Sequence, residues 1–174
     1  MTMTLSGSGT IGGLVAGGLP DATITQPDLA SGVAGNGPAF SAYMGTSQTI
    51  TTATLTKLQF NTENFDTNNN YDNVTNYRFT PTVAGYYSIC GRMDFNGSTS
   101  ATRAWVSINK NGSEYKRGVD MNTNGSGVSV SNIIYLNGST DYVELYGWIS
   151  ATTAVAGGGS NLTSSFEGCL VRAA

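Results

Sequence analysis

The sequence predicts an all-β protein, a sandwich of two antiparallel sheets preceded by an extended arm. Three observations predict it. Apolar residues alternate with polar ones in segment after segment, and little of the chain shows the i, i+3, i+4 spacing of an amphipathic helix. Four Asn-Gly dipeptides fall at 96–97, 111–112, 124–125 and 137–138, spaced 15, 13 and 13 residues apart. Asn-Gly suits tight hairpin turns because both central positions need positive φ. Charged residues make up only 11% of the chain, and aromatic and β-branched residues supply its apolar content.

Composition changes near Gly37-Pro38. Nine of the first 37 residues are glycine, with Leu5, Ile11, Leu14, Val15, Leu19, Ile24, Leu29 and Val33 scattered among them. Ordering glycine is entropically costly, and isolated apolar side chains form no core of their own. Pro20 and Pro27 also block regular strand pairing. Residues 1–37 are therefore expected to be an arm, ordered by packing along its own domain or by docking into a larger assembly. Leu5, Ile11, Leu14, Leu19, Ile24 and Leu29 are the candidate docking contacts.

Residues 38–174 are expected to form one knob. Residues 71–89 read as an extended entry, a corner and an aromatic strand. Pro81 lacks an amide hydrogen, and Gly85 is free to adopt angles closed to other residues, as a sharp corner needs. In 85–95, Tyr87, Ile89, Met93 and Phe95 share one side. In 101–109, Ala104, Val106 and Ile108 do the same. In 141–150, Val143, Leu145 and Ile149 oppose Tyr142, Tyr146 and Trp148. Period two repeated this often marks a sandwich with a dry interior.

Several function classes fall away. A net charge of −3 and eight scattered basic residues do not make a phosphate-tracking surface. No run approaches the ~18 to 20 apolar residues that span a bilayer. The N-terminus has neither the basic start nor the apolar centre of a secretory signal, so assembly in a cytoplasm is expected. The chain contains no histidine, which removes Ser-His-Asp and Cys-His catalysis. Neither a G-x-S-x-G elbow nor a P-loop is present. Two carboxylates meeting across a cleft remain the one route to hydrolysis. Residues 66–72, DTNNNYD, mimic the start of a calcium loop, but Tyr71 and Tyr77 stand where glycine and glutamate are required. An Asn-rich solvated loop is the better reading, and no metal or cofactor is expected. Cys90 and Cys169 are either two small buried apolar residues or one bridge tying the last strand to the middle of the sheet. Trp105, Tyr142, Tyr146 and Trp148 are candidate glycan contacts, against the alternative of ordinary cross-strand pairing.

Six segments in order carry a family resemblance. They are GPAFSAY at 37–43; Phe60-Asn61 with 65–72; 77–81 with Gly85-Tyr86-Tyr87; Val106 through Asn111-Gly112; Tyr135-Leu136, Gly138 and 142–145; and SFEGCLV at 165–171. Together they resemble the C1q-like domain, a trimer-forming jelly roll related to the tumour necrosis factor fold. The glycine usual before the corner phenylalanine is replaced by Asn76-Tyr77, and there is no collagen-like stalk. The short Gly-rich arm joined to GPAFSAY is more similar to the C1q-like knobs of bacteriophage structural proteins. The resemblance implies a non-enzymatic homotrimeric knob on a virion surface. Its arm would dock on capsid or tail proteins, as a decoration protein or short head spike. The rival implication is a tail-fibre tip or adhesin that recognises a host surface glycan. It further implies that Phe166 and Leu170 face the threefold axis with Cys90 and Arg92 nearby. Cys90 and Cys169 would then lie on opposite faces as free thiols.

Overall fold

Strands β7 (Ala84–Asp94) and β10 (Gly127–Asn137) lie antiparallel in unbroken register over eleven residues each. Alternation dictates their two faces: Tyr87, Ile89 and Met93 point inward, as do Val128, Val130, Ile134 and Leu136. Strands β13 (Ser165–Ala173), β1 (Ala39–Tyr43) and β4 (Thr62–Asp66) complete a five-stranded sheet ordered β10-β7-β13-β1-β4. The facing sheet runs β5 (Tyr71–Asp72), β6 (Arg78–Phe79), β11 (Val143–Ser150), β8 (Arg103–Lys110), β9 (Ser113–Arg117). A short β3 (Thr56–Lys57) also pairs with β11. Strands β2 (Gln48–Ile50) and β12 (Ala154–Ala156) form a separate ribbon. This computed structural model describes residues 37–121 and 127–174, and no helix occurs among them. The candidate arm contacts Leu5, Ile11, Leu14, Leu19, Ile24 and Leu29 lie outside the described residues, as does Asn124-Gly125.

An aromatic stack joins the two sheets. Phe40 of β1 lies 4.4 Å from Phe79 of β6 and 4.9 Å from Tyr71 of β5, both stacked. Phe166 of β13 meets Phe40 edge-on at 4.9 Å, and Phe60 lies 5.7 Å from it. Such pairs add about 0.5–1.5 kcal/mol each beyond the area they remove from water. The buried hydroxyls are satisfied: Tyr71 donates to the Phe60 carbonyl at 3.0 Å and Tyr87 to the Val83 carbonyl at 2.7 Å. Burial pushes the Tyr87 phenol up to about 12.

Placement of Phe166 and Leu170 corrects the expectation that they face outward. Both are buried within the single chain, and Phe166 is fully enclosed. Gly168 between them also faces inward, since a Cβ there would lie 2.6 Å from Ile89. Residues 166, 168 and 170 therefore share the interior side, and Glu167 and Cys169 take the other.

Two local expectations also change. Gly85 is not in the left-handed region. It is required by close approach, because a Cβ would stand 2.5 Å from the Arg172 carbonyl oxygen. Of the Asn-Gly pairs, Asn111-Gly112 forms the expected turn, with φ of 52° and 79°. Asn96-Gly97 instead sits inside a turn closed by Ser98 N–H donating to the Phe95 carbonyl, with neither φ positive. At Asn137-Gly138 only the glycine is left-handed, and the Asn137 side chain accepts from the amides of Ser139, Thr140 and Asp141.

Replacing Phe166 by Ala should lower unfolding free energy by about 3–5 kcal/mol, the cost of emptying an aromatic core site. Urea titration measures it; an unchanged midpoint would place Phe166 outside the interior.

Candidate functional site

With Phe40, Phe79 and Phe166 inside, the outward side of the five-stranded sheet still carries several half-exposed apolar side chains. Ile133 and Tyr135 of β10, Tyr86 of β7, Val171 of β13 and Phe65 of β4 are 42% to 58% exposed. Register places Tyr135 opposite Tyr86, and their rings meet edge-on at 5.6 Å. A bulge between Leu170 and Arg172 turns both Val171 and Arg172 to solvent. Two concavities mark this face. One of about 260 Å³ is lined by Phe65, Ser41, Cys90 and Cys169, the other of about 580 Å³ by Tyr86, Ile133 and Val171. Half-exposed apolar side chains gathered on one face, here among the exposed Arg92, Glu167 and Arg172, make it the candidate contact surface.

Of the four residues expected at a trimer axis, Cys90 and Arg92 lie on this outward face, whereas Phe166 and Leu170 do not. Cys169 lies on the same face as Cys90, which corrects their expected placement on opposite faces. Both thiols are free and exposed, so neither is a buried apolar filler and no bridge joins them. Cys90 stands opposite Glu167 and Cys169 opposite Ser88, a diagonal relation across the β7–β13 pair. Diagonal Cβ separations of roughly 7 Å exceed disulfide reach. Arg92 donates to the Leu162 carbonyl at 2.8 Å and so is held by its own chain. Tyr86, Ile133, Tyr135 and Val171 escaped the sequence reading. The signal was present: each occupies the alternate positions to Tyr87, Ile134, Leu136 and Leu170.

The opposite sheet covers its own outer face. Trp105 and Trp148 are direct cross-strand partners, stacked at 3.9 Å and 11°. Arg117 lies 4.5 Å and Arg103 4.8 Å from the Trp105 ring, each paired with a carboxylate, Glu114 or Asp120. Trp105 is only 7% exposed. Its faces are taken, which is the cross-strand pairing alternative rather than a sugar platform. Tyr142 lies under the Arg78 guanidinium at 4.3 Å. Tyr146 sits beside Glu144, a buried carboxylate paired with Lys57.

In the calcium-like loop of residues 66–72, both carboxylates are occupied by backbone. Asp66 accepts from the amides of Asn68 and Tyr71 at 3.2 and 2.7 Å. Asp72 accepts from the amides of Val74, Thr75 and Asn76 and from the Asn76 side chain. The Thr75 amide above all, with the others, holds the Asp72 carboxyl down to about 2. No group of three or more Cys, Asp or Glu positioned for a metal occurs among the described residues.

Comparison with family models finds no match, and comparison with curated proteins finds none either. Solved structures do match, at a level that shows the fold. The globular domain of zebrafish complement 1qA protein is 17% identical with a TM-score of 0.56, covering 79% of this chain and 99% of that one. Murine APRIL is 10% identical with a TM-score of 0.56, covering 77% and 98%. PRD1 vertex protein P5 is 13% identical with a TM-score of 0.55, covering 78% and 97%. The chain has the C1q/TNF-like jelly-roll fold.

Replacing Asp72 by Asn should destabilise the protein at neutral pH. A depressed folded-state pKa means the carboxylate stabilises above its unfolded value near 3.8, with the gain lost as pH falls toward about 2. Urea midpoints of wild type and Asp72→Asn should therefore converge between pH 4 and pH 2; a gap that persists at pH 2 contradicts the capping role.

Proposed function

We propose that the chain is a non-enzymatic virion structural protein of a tailed bacteriophage, a homotrimeric knob held on the particle by residues 1–37. The observation that carries this reading is the apolar outward face of the five-stranded sheet. Fully burying a large apolar side chain contributes about 1.5–3 kcal/mol. Tyr86, Ile133, Tyr135, Val171 and Phe65 are already about half covered, so roughly 1 kcal/mol remains at each. A threefold ring repeats that gain around a closed symmetric contact. Domains of the C1q and tumour necrosis factor type assemble as homotrimers, which supports self-association through this fold. One structural neighbour is a vertex protein, which supports a place on a particle.

Gly-rich chain with spaced apolar residues suits an arm laid along a partner surface, with Leu5, Ile11, Leu14, Leu19, Ile24 and Leu29 as its contacts. The partner is a capsid protein, where the knob serves as decoration or a short spike, or a tail protein. Chemistry of the folded domain supports a non-catalytic role. The chain has no histidine, and the Asp66 and Asp72 carboxylates are engaged by backbone amides.

Two experiments test separate halves. The double variant Ile133→Asp with Val171→Asp should sediment as a monomer while keeping a β-rich circular dichroism spectrum. Trimers of unchanged sedimentation would remove this face from assembly. Deleting residues 1–37 should leave a trimer that no longer joins particles; normal incorporation would refute the docking arm.

A further inference from the structure

The edge of the sandwich carries a third concavity, away from the face proposed for assembly. It measures about 650 Å³ and lies between the ends of β4, β5 and β6. This falls within the range of about 300–1,000 Å³ typical of ligand clefts. Its lining is polar throughout except for the buried Tyr71 ring. We propose that this cleft binds a saccharide through Arg78, Asn69, Asn73, Thr80 and Glu63.

The lining divides into a fixed wall and an uncommitted rim. Asn70 forms much of the wall: its Oδ1 accepts from the Thr82 amide at 3.2 Å, and its Nδ2 donates to the Asn68 carbonyl at 3.1 Å. Asp72 holds the following turn through its backbone bonds. The rim side chains of Glu63, Asn69, Asn73, Arg78 and Thr80 have no polar partner among the described residues. Arg78 faces Asp72 across the β5–β6 pair, yet makes no ion pair with it, because the carboxylate is already taken. Its guanidinium is instead steadied over the Tyr142 ring. Asn69, which lines the cleft, is left-handed at 53°.

The chemistry selects the ligand class. One cation beside two carboxylates repels phosphate chains and nucleic acid. A polar rim gives an apolar ligand nothing to displace. A metal ion would compete with amide hydrogens for Asp72. Sugar hydroxyls are each donor and acceptor, and planar amides present both in one plane. The guanidinium fork suits two adjacent oxygens, whether a vicinal diol or a uronate carboxylate. Burial, with Asp66 nearby, raises the Glu63 pKa.

The test is the full-length protein on arrayed oligosaccharides, one arm of neutral hexoses and N-acetylhexosamines, the other bearing uronic or sialic acids. Retention in either arm is expected, the acidic arm assigning Arg78 to a carboxylate and the neutral arm to a diol. For the retained sugar, Arg78→Ala should weaken binding about tenfold or more, and Asn73→Ala by less. The Asn73 side chain makes no hydrogen bond among the described residues, so its variant remains informative if Arg78→Ala folds poorly. The monomeric Ile133→Asp, Val171→Asp variant should keep monovalent binding, which separates this inference from trimer assembly. No retention in either arm, or undiminished binding by Asn73→Ala and Arg78→Ala, would overturn it.

Discussion

Side-chain parity in the five-stranded sheet is the constraint from which the rest of this structure follows. The stack of Phe79 and Tyr71 on Phe40, closed by Phe166, can form only if β1 and β13 turn those residues inward. A strand has only two faces, so that choice sends Ser41, Glu167, Cys169 and Val171 outward. Register with β7 then brings Cys90 and Tyr86 to the same outer side, and β10 adds Ile133 and Tyr135. The surface available for contact is thus the complement of the core.

The two sheets treat their outer faces differently, and the difference is energetic. Polar groups on the outer side of the β11–β8 pair are buried but partnered: Glu144 with Lys57, and Ser107 with Asn109 at 3.1 Å. Trp105 and Trp148 shield each other, with arginines above them. Most of that face is partnered within the chain, and the buried Trp105 indole N–H is its one group without a hydrogen-bond acceptor among the described residues. On the other sheet, half-exposed Ile133, Val171 and Phe65 still have area to remove from water. The proposed assembly through the second face would leave the first in solvent.

Asn and Asp side chains in the loops form a system of backbone caps. Asp72, Asn137 and Asp66 each accept from two or more amides, and Asn111 bonds both Asp141 and the Tyr142 amide. The bond from Asn111, with Lys110 beside it, also holds the Asp141 carboxyl below its usual range. These caps stiffen loops that have no hydrogen-bonded ladder of their own. They also explain how a cleft rimmed by free amides keeps its shape.

The sequence alone determined the all-β class, the inward rows of β7, β8 and β11, and the Asn111-Gly112 hairpin, because period two and turn chemistry are local properties. The order of six family-like segments reached the jelly roll. It could not settle the parity of β13, where Phe166 and Cys169 are both plausible core residues and neither local pattern nor propensity chooses between them. Only the tertiary structure decided that, through aromatic rings contributed by β1, β5 and β6. The same holds for the Trp105–Trp148 stack, Gly85 pressed against Arg172, and the cleft of Glu63, Asn73 and Arg78. Each depends on which strands become neighbours, and that is fixed by packing between segments far apart in the chain.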